Sequence, residues 1–175
     1  MTTDRKFAGF QRGDAPPFRM NEIPEGGMCL SSFVLLSNSE GKILMGKLDP
    51  AYDWDHIGAM DEYRKQRHSG GWIIPSCHLL MNESPVEAAE RVVREQLGIG
   101  KVELGNGEIY SEVYGGSPDK PSTMHWDLEF VYRGHYDKPV THRAWKELAY
   151  VDPNAPEEQF ARSHQDILRN AGLRR

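Results

Sequence analysis

Apolar and polar positions along the chain change period several times, and each change marks a predicted element. Apolar side chains dominate residues 28–36, as is typical of a buried strand, and return at residues 42–47 after a turn-forming run. These two segments predict a β-hairpin. Shorter apolar or alternating runs predict further strands at residues 72–75, 102–113, 125–135 and 145–151.

The clearest predicted helix begins after residue 83. Ser84 and Glu87 have the spacing of a capping box, and Pro85 suits the first helical turn, where its missing N–H costs nothing. Gly98 is expected to end this helix in a left-handed conformation. A second helix is predicted over residues 157–171. The predicted buried face of the first helix consists of Val86, Ala89, Val93 and Leu97.

The order of elements is hairpin, strand, helix, further strands and a final helix. This order predicts an α+β fold, with a mixed sheet and helices packed on its faces. Residues 28–175 are expected to form a single domain, which agrees with the usual length of one domain. Residues 1–27 are polar and rich in Gly and Pro, and we expect an arm that lies over the domain or pairs with a partner subunit.

Residues 49–71 have no apolar periodicity, and they combine aromatic with cationic side chains. Such residues can stack on a base and neutralise phosphate, although a solvated insertion with a short helix at residues 60–66 explains them as well. Histidines at positions 78 and 125 could donate to a phosphate or act as bases, or be ordinary surface or core residues. The candidate substrate-binding residues are therefore Trp54, Arg64, Arg67, His78 and His125.

The formal net charge is -5, without a long basic run, which argues against a nucleic-acid partner but allows a small anionic ligand. The apolar runs are too short for a membrane span or a signal peptide, so a cytoplasmic protein is expected. Cys29 and Cys77 are too few for a disulfide framework or a patterned zinc site, and we expect both to be small buried residues. The apolar hairpin and the long arm favour a homodimer.

Residues 71–99 resemble the Nudix box, G-x5-E-x7-R-E-U-x-E-E-x-G-U, in which U is a bulky apolar residue. The run Gly71-Trp72-Ile73-Ile74-Pro75 is similar to the usual lead-in, and the resemblance extends over roughly residues 28–172. It implies an α/β/α sandwich of the Nudix type that hydrolyses nucleoside diphosphates linked to another group, using Mg²⁺ or Mn²⁺. The residues in register with the motif are Glu83, Arg91, Val93, Glu95, Gly98 and Ile99.

Three positions depart from the motif: Cys77 replaces its first glycine, and Val92 and Gln96 replace two glutamates. In the family, carboxylates at the positions of residues 92, 95 and 96 hold the metal ions. Magnesium requires oxygen ligands, so the resemblance implies fewer ions here, with Glu95 and Gln96 as the metal ligands. The catalytic candidates are Glu95, Glu83 and Arg91, although Glu83 is favoured as a brace that pairs with Arg91, and a structural ion pair with Arg91 explains Glu95 as well as a ligand role does.

Two main hypotheses follow, beside a weaker third one of a structural or assembly role through the N-terminal arm. The first is a Nudix-type hydrolase with reduced or altered metal dependence, acting on a small nucleotide derivative such as a nucleotide-sugar. In it, Glu112, Asp127 and Glu129 are candidates for a displaced ligand or a general base. The second is a catalytically silent nucleotide-binding module on the same scaffold, which the joint loss of carboxylates at 92 and 96 favours. The register of the remaining box residues favours the hydrolase.

Overall fold

The structure, a computed structural model, describes residues 9–10, 27–58, 62–114 and 125–175. Its strands are β1 (Gly9–Phe10), β2 (Met28–Ser37), β3 (Ile43–Leu48), β4 (Ser76–His78), β5 (Glu108–Tyr114), β6 (His125–His135) and β7 (Trp145–Val151). Its helices are α1 (Trp54–Gly58), α2 (Glu62–His68), α3 (Pro85–Glu95) and α4 (His164–Asn170), with a 3-10 turn at Glu157–Gln159. Within these ranges no helix is long and apolar enough to cross a membrane.

Strand β2 is the centre of the sheet. One of its edges pairs in parallel with β6 along the whole strand, from Met28 opposite Trp126 to Ser37 opposite His135. Its other edge meets three antiparallel strands in turn, namely β1, β4 and β3. The order β5-β6-β2-β3-β7 completes the sheet. One parallel ladder among antiparallel ones makes the sheet mixed, which confirms the prediction.

Helices cover both faces of this sheet. Successive side chains of a strand point to opposite faces, so β2 buries its two sides against different layers. Val34 and Leu36 pack in a core that contains the apolar face of α3. Phe33 and Leu35 pack in a second core that contains Ile167 and Leu168 of α4. The helix–sheet–helix layering confirms the predicted fold class.

The capping box of α3 is present. The Ser84 N–H donates to Glu87 Oε2 at 2.9 Å, and the Glu87 N–H donates to Ser84 Oγ at 3.4 Å. The Ser32 hydroxyl donates to the Pro85 carbonyl at 2.8 Å, which ties the start of the helix to β2. Gly98 has the expected left-handed conformation, with φ of 66°. The sequence therefore predicts both ends of this helix to within two residues.

The buried face of α3 is rotated from the predicted one. Ala89, Val93 and Leu97 are buried as expected, but Val86 is 41% exposed. The helix instead turns Ala88 and Val92 toward the sheet, where both side chains are buried. The prediction included Val86 because it is apolar and has helical spacing. Spacing alone does not determine which of several adjacent apolar positions on a helix face the core.

Several predicted boundaries are wrong. The strand expected at residues 72–75 lies instead at Ser76–His78, and Trp72 and Ile73 form only single bridges. The strand expected from residue 102 begins at Glu108. The helix expected over residues 157–171 is interrupted, because Arg162 and Ser163 adopt left-handed conformations with φ of 59° and 55°. Such conformations cannot continue a right-handed helix.

The hairpin, the insertion and the arm are each described in part. Strand β3 pairs with β2 only at Ser37 and Ile43 and then diverges to pair with β7, so the predicted hairpin is confirmed at its turn. The alternative of a short helix in the insertion is confirmed by α2. In the arm, Gly9 and Phe10 pair with the chain's own β2, and the other arm residues up to 26 lie outside the described ranges.

His164 links α4 to the centre of the sheet. Its Nδ1 accepts a hydrogen bond from the Ile74 N–H at 2.8 Å, and its ring packs edge-on against Phe33. Burial holds the pKa of this imidazole well below its usual value, and the charges of Arg162 and His68 act in the same direction. The folded protein therefore keeps His164 neutral at pH values where the unfolded chain would protonate it.

This difference predicts a loss of stability in mild acid. A histidine whose folded pKa is depressed contributes stability above its unfolded pKa of about 6.5, and that stability is lost as the pH falls below it. The free energy of unfolding from urea titrations is expected to decline by about 1.4 kcal/mol per pH unit for each such residue below about pH 6.5. In His164→Asn, whose Oδ1 can still accept from Ile74, the decline should be smaller. An unchanged decline would contradict the assignment.

Candidate functional site

A cavity of about 310 Å³ opens on the sheet face that carries α4. Strands β2 and β6 supply its floor, and the side chains there are polar, which is unusual for the middle layer of a sandwich. Helix α2 and the left-handed turn before α4 supply its rim, which is cationic. The floor residues are Cys29, His125, Asp127 and Glu129, and the rim cations are Arg64, Arg67 and Arg162.

The parallel ladder between β2 and β6 brings the floor residues together. Cys29 lies opposite Asp127 in this ladder, and Ser31 lies opposite Glu129. His125 precedes Asp127 by two residues, so the strand period of two places both side chains on one face. The Ser31 hydroxyl donates to Asp127 Oδ1 at 3.0 Å and fixes the orientation of that carboxylate.

Burial dominates the electrostatics of the floor. It raises the pKa of the Cys29 thiol to about 11, with a further contribution from Asp127, so the free thiol is protonated at neutral pH. Burial lowers the pKa of His78 to about 3, and the charges of Arg162 and Arg64 add to this effect. His78 is therefore neutral and is a poor general base. Burial also raises the pKa of Asp127, against the opposing hydrogen bond from Ser31.

The rim places arginine side chains above this floor. Arg67 lies over the Tyr63 ring, and its Nη1 donates to the Tyr63 hydroxyl at 3.0 Å. Arg162 is carried by a turn in which it and Ser163 both have positive φ. Each such residue costs about 1 kcal/mol or more, and strain of this kind tends to persist where it positions a functional side chain. The strained turn therefore makes Arg162 a candidate functional residue, which the sequence pattern did not single out.

Four of the five sequence-predicted substrate-binding residues line this cavity: Arg64, Arg67, His78 and His125. Trp54 does not. Its side chain is 1% exposed, its Nε1 donates to the Asp49 carbonyl at 3.0 Å, and its ring packs edge-on against Trp145. The indole supports the fold here and has no exposed face on which a base could stack.

The box residues Glu83 and Arg91 form a buried ion pair. Arg91 Nε donates to Glu83 Oε1 at 2.7 Å, and Arg91 Nη2 donates to Glu83 Oε2 at 2.8 Å and to the His78 carbonyl at 2.9 Å. The Leu80 N–H also donates to Glu83, at 2.8 Å. This is the predicted brace between loop and helix, and its geometry is confirmed. A catalytic role for either residue stays a prediction.

The expected metal site on α3 does not fit its surroundings. The Gln96 side chain is fully buried, and its Nε2 donates to the Ser76 carbonyl at 2.7 Å and to the Ile57 carbonyl at 3.2 Å. Its Oε1 is enclosed and has no hydrogen-bond partner among the described residues. Magnesium usually retains several waters, for which an enclosed amide oxygen leaves no room.

The two other positions of that expected site, Val92 and Glu95, differ in their surroundings. Val92 is 1% exposed and belongs to the apolar core beneath α3. The Glu95 side chain is 24% exposed and lies 3.9 Å from Arg94 Nη2. Among the described residues, no group of three His, Cys, Asp or Glu side chains includes Glu95, and a magnesium site built on Glu95 and Gln96 stays a prediction. Glu95 and the cavity floor are separate features, since Glu95 is not part of the cavity lining.

Sequence reasoning missed Cys29, Arg162 and His164 as cavity residues. One signal was visible: His125, Asp127 and Glu129 place three polar groups at alternate positions of a predicted strand. The neighbouring strand cannot be identified without the register, so the sequence predicts only a small buried residue at Cys29. A third acid candidate, Glu112, lies outside the lining and accepts a hydrogen bond from Asn170.

Comparison with known proteins gives likeness in structure alone. No family model matches the chain, and no curated protein matches it. The MutT protein from Methanosarcina mazei Go1 superposes with a TM-score of 0.58 and 17% identity, over 85% of this chain and 94% of that one. The E. coli dihydroneopterin triphosphate pyrophosphohydrolase gives a TM-score of 0.58 and 12% identity, over 85% and 95% of the two chains.

A Nudix hydrolase from M. smegmatis, RenU, gives a TM-score of 0.56 and 14% identity, over 86% of this chain and 92% of that one. These identities are too low to transfer an activity, but the superpositions cover nearly the whole of each known structure. They agree with the capped helix, the lead-in and the spacing of the box residues. The chain therefore has the fold of the Nudix hydrolases.

Proposed function

We propose that the protein hydrolyses the diphosphate linkage of a nucleoside diphosphate derivative, and that the reaction takes place in the cavity between α2 and β6. The observation that carries this proposal is the arrangement of three arginines around a floor that holds two carboxylates. Cations at the rim suit a polyanionic substrate, and acids on the floor suit the handling of water. The buried residues of the box helix offer neither.

The rim arginines are the substrate-binding groups of this proposal. A guanidinium presents paired N–H donors that match the oxygens of a phosphate, and it stays charged at every physiological pH. Arg64 and Arg162 both influence the pKa values of Cys29, His78 and Asp127, so their charges act on the cavity floor itself. Two phosphates bound between them would have much of their charge neutralised before reaction.

The floor supplies the base. A water molecule adds to one phosphorus atom, its proton passes to the Glu129 carboxylate, and the bond from that phosphorus to the bridging oxygen breaks. Glu129 is 1% exposed and lies on the same face of β6 as Asp127, so it is held in the cavity wall and shielded from bulk solvent. General-base assistance of this kind contributes about 10²–10⁴ in rate.

Other observations support the choice of substrate class. One fold neighbour is described as a triphosphate pyrophosphohydrolase, so the scaffold accommodates phosphate anhydrides in that protein. A nucleotide-sugar fits the proposal as well as other diphosphate derivatives, because the cavity is open to solvent and the rim contacts would engage the diphosphate alone. Neutral His78 would donate or accept a hydrogen bond beside the substrate without adding charge.

The test compares Arg162→Gly with Ser163→Gly in a release assay for phosphate or mononucleotide across a panel of nucleoside diphosphate derivatives. Both changes relieve a positive-φ strain, and only the first removes a rim cation. Loss of a charge-assisted hydrogen bond of about 1.5–3 kcal/mol predicts a KM raised about 10- to 150-fold in Arg162→Gly. Ser163→Gly should keep a KM near wild type. Equal KM values in the two variants, or no turnover of any substrate by the wild type, would contradict the proposal.

A nucleotide-binding module is the second candidate, and the burial of Val92 and Gln96 favours it. Such a module would retain the cationic rim without turnover. It predicts that a nucleoside diphosphate raises the melting temperature and is recovered unchanged. The same substrate panel separates the two functions, because only the hydrolase consumes its ligand.

A further inference from the structure

Three different metal-ligating side chains converge on the cavity floor. The Cys29 Sγ, a ring nitrogen of His125 and a carboxylate oxygen of Asp127 all lie within 4.8 Å of one another. All three side chains are half-buried. A tetrahedral ion with ligands at about 2.0–2.3 Å would hold them roughly 3.3–3.7 Å apart. Side-chain rotations that move the ligand atoms by about 1 Å would therefore bring all three within bonding distance of one ion.

The backbone fixes this cluster from two strands. Cys29 and Asp127 are direct neighbours in the parallel ladder, and His125 is on the same face of β6 two residues earlier. The Ser31 hydroxyl donates to Asp127 Oδ1 at 3.0 Å. Hydrogen bonds from neighbouring residues to metal-binding side chains orient those side chains for coordination. They distinguish a preorganised metal site from a chance cluster of potential ligands.

We propose that Cys29, His125 and Asp127 bind a thiophilic divalent cation of the zinc class. Sulfur and imidazole ligands favour zinc over magnesium, which prefers oxygen alone. Three protein ligands on an open cavity leave a fourth position for water or an oxygen of a ligand, as in zinc sites that act on substrates. Binding converts the Cys29 thiol to a thiolate, and its proton leaves to solvent.

The position of this site would bring the cation close to the proposed substrate. It lies on the cavity floor beneath the arginine rim, so an ion there would face the diphosphate of the proposed substrate. That assignment rests on the proposed function, whereas the binding of the cation does not. The metal requirement of this protein would then have moved from the box helix to the end of the central parallel ladder.

Cobalt absorption tests the site directly. Protein freed of metal with a chelator is titrated with Co²⁺, and we expect one equivalent to bind with a sulfur-to-cobalt charge-transfer band in the near ultraviolet. Zn²⁺ should displace Co²⁺ and abolish the band, and a large excess of Mg²⁺ should not. The band should be lost in Cys29→Ser. It should persist in Cys77→Ser, because Cys77 is a free thiol buried against the Ala88 carbonyl of α3.

The titration has outcomes that overturn the inference. Absence of the band in the wild type, or its loss in Cys77→Ser and not in Cys29→Ser, would exclude ligation by Cys29. In Asp127→Asn we expect the affinity for Zn²⁺ to fall about tenfold or more, and an unchanged affinity would exclude Asp127 as a ligand. The wild-type spectrum needs no variant, so a Cys29→Ser protein that fails to fold leaves the test intact.

Failure of this inference is distinguishable from failure of the proposed function. Stoichiometric sulfur-ligated cobalt without turnover of any diphosphate would leave the metal site standing and exclude the hydrolase. Turnover that persists after removal of all metal, with no cobalt band, would leave the hydrolase standing and exclude the metal site.

Discussion

Changing Val92 to glutamate is expected to cost about 4 kcal/mol of the free energy of unfolding at pH 7, and to create no metal ligand. Val92 is 1% exposed and packs among apolar residues between α3 and the sheet, including Val34 and Leu36. A glutamate buried there would have its pKa raised above 7 and would be protonated in the folded state. Protonating a group with an unfolded pKa of about 4.3 costs about 1.4 kcal/mol for each of the roughly 2.7 pH units up to pH 7.

The direction in which the stability loss of Val92→Glu changes with pH tests whether a buried, protonated carboxyl causes it. A carboxyl whose folded pKa is raised destabilises the protein more as the pH rises above its unfolded pKa of about 4.3. The difference in unfolding free energy between Val92→Glu and wild type should therefore shrink from pH 7 to pH 5. Val86→Glu is the matched control, since Val86 is on the same helix but 41% exposed. It should change stability by less than about 0.5 kcal/mol.

The companion change Gln96→Glu is expected to act in the same direction. It would place carboxylate oxygens against the Ser76 and Ile57 carbonyls, which now accept hydrogen bonds from Gln96 Nε2. Two buried acceptors would lose their donor and face a like-charged group. Urea denaturation of the single and double variants measures the cost. Wild-type stability together with a gain of magnesium-dependent turnover would show that the box helix still faces an open site.

Local signals in the sequence predicted the local structure well. The capping box at Ser84 and the left-handed Gly98 depend on neighbours a few residues away, so the chain itself specifies them. Gly71, in the box lead-in, has a physical reason that only the fold reveals. A Cβ on Gly71 would lie 2.9 Å from the backbone of Phe160 and Ala161, in a segment that pairs with Trp72.

The candidate site was predictable only in part, because it depends on which strands become neighbours. The cations of α2 and the two histidines could be selected by residue type, and they do meet around one cavity. Cys29 could not be selected, because its proximity to Asp127 follows from a parallel register between segments almost a hundred residues apart. Arg162 could not be selected either, because its position depends on a left-handed turn at Arg162 and Ser163. Left-handed turns are usually predicted from a glycine, and neither of these residues is one.

The insertion before the box packs against the end of the box helix. Helix α1 brings Trp54 and Ile57 into an apolar cluster with Trp145, and the Ile57 carbonyl seals the amide of Gln96. The Trp145 Nε1 also donates to the Gln96 carbonyl at 2.7 Å. Gln96, which follows the last residue of α3, is thereby enclosed by protein. Helix α2, from the same insertion, carries Arg64 and Arg67 to the cavity on the α4 face.

Replacing Arg91 by methionine is expected to lower the free energy of unfolding by about 3–5 kcal/mol, because it leaves a buried carboxylate without its cation. The Arg91 and Glu83 side chains are only 4% and 12% exposed. Burial of the Glu83 carboxyl opposes its ionisation, but hydrogen bonds from Arg91 and from the Leu80 N–H outweigh burial and lower its pKa. The stability that this pair contributes is present above the unfolded pKa of about 4.3 and is lost as the pH falls through the lowered pKa.

Arg94→Met is the matched control for this loss. Arg94 belongs to the same helix, but its side chain is 62% exposed and its carboxylate neighbour Glu95 is 3.9 Å away, so its removal should cost less than about 1 kcal/mol. A double-mutant cycle with Glu83→Leu isolates the pair, and the double variant should be more stable than the sum of the single losses implies. Equal losses in Arg91→Met and Arg94→Met, or strictly additive losses in the cycle, would mean that the box helix is not held to its loop by this ion pair.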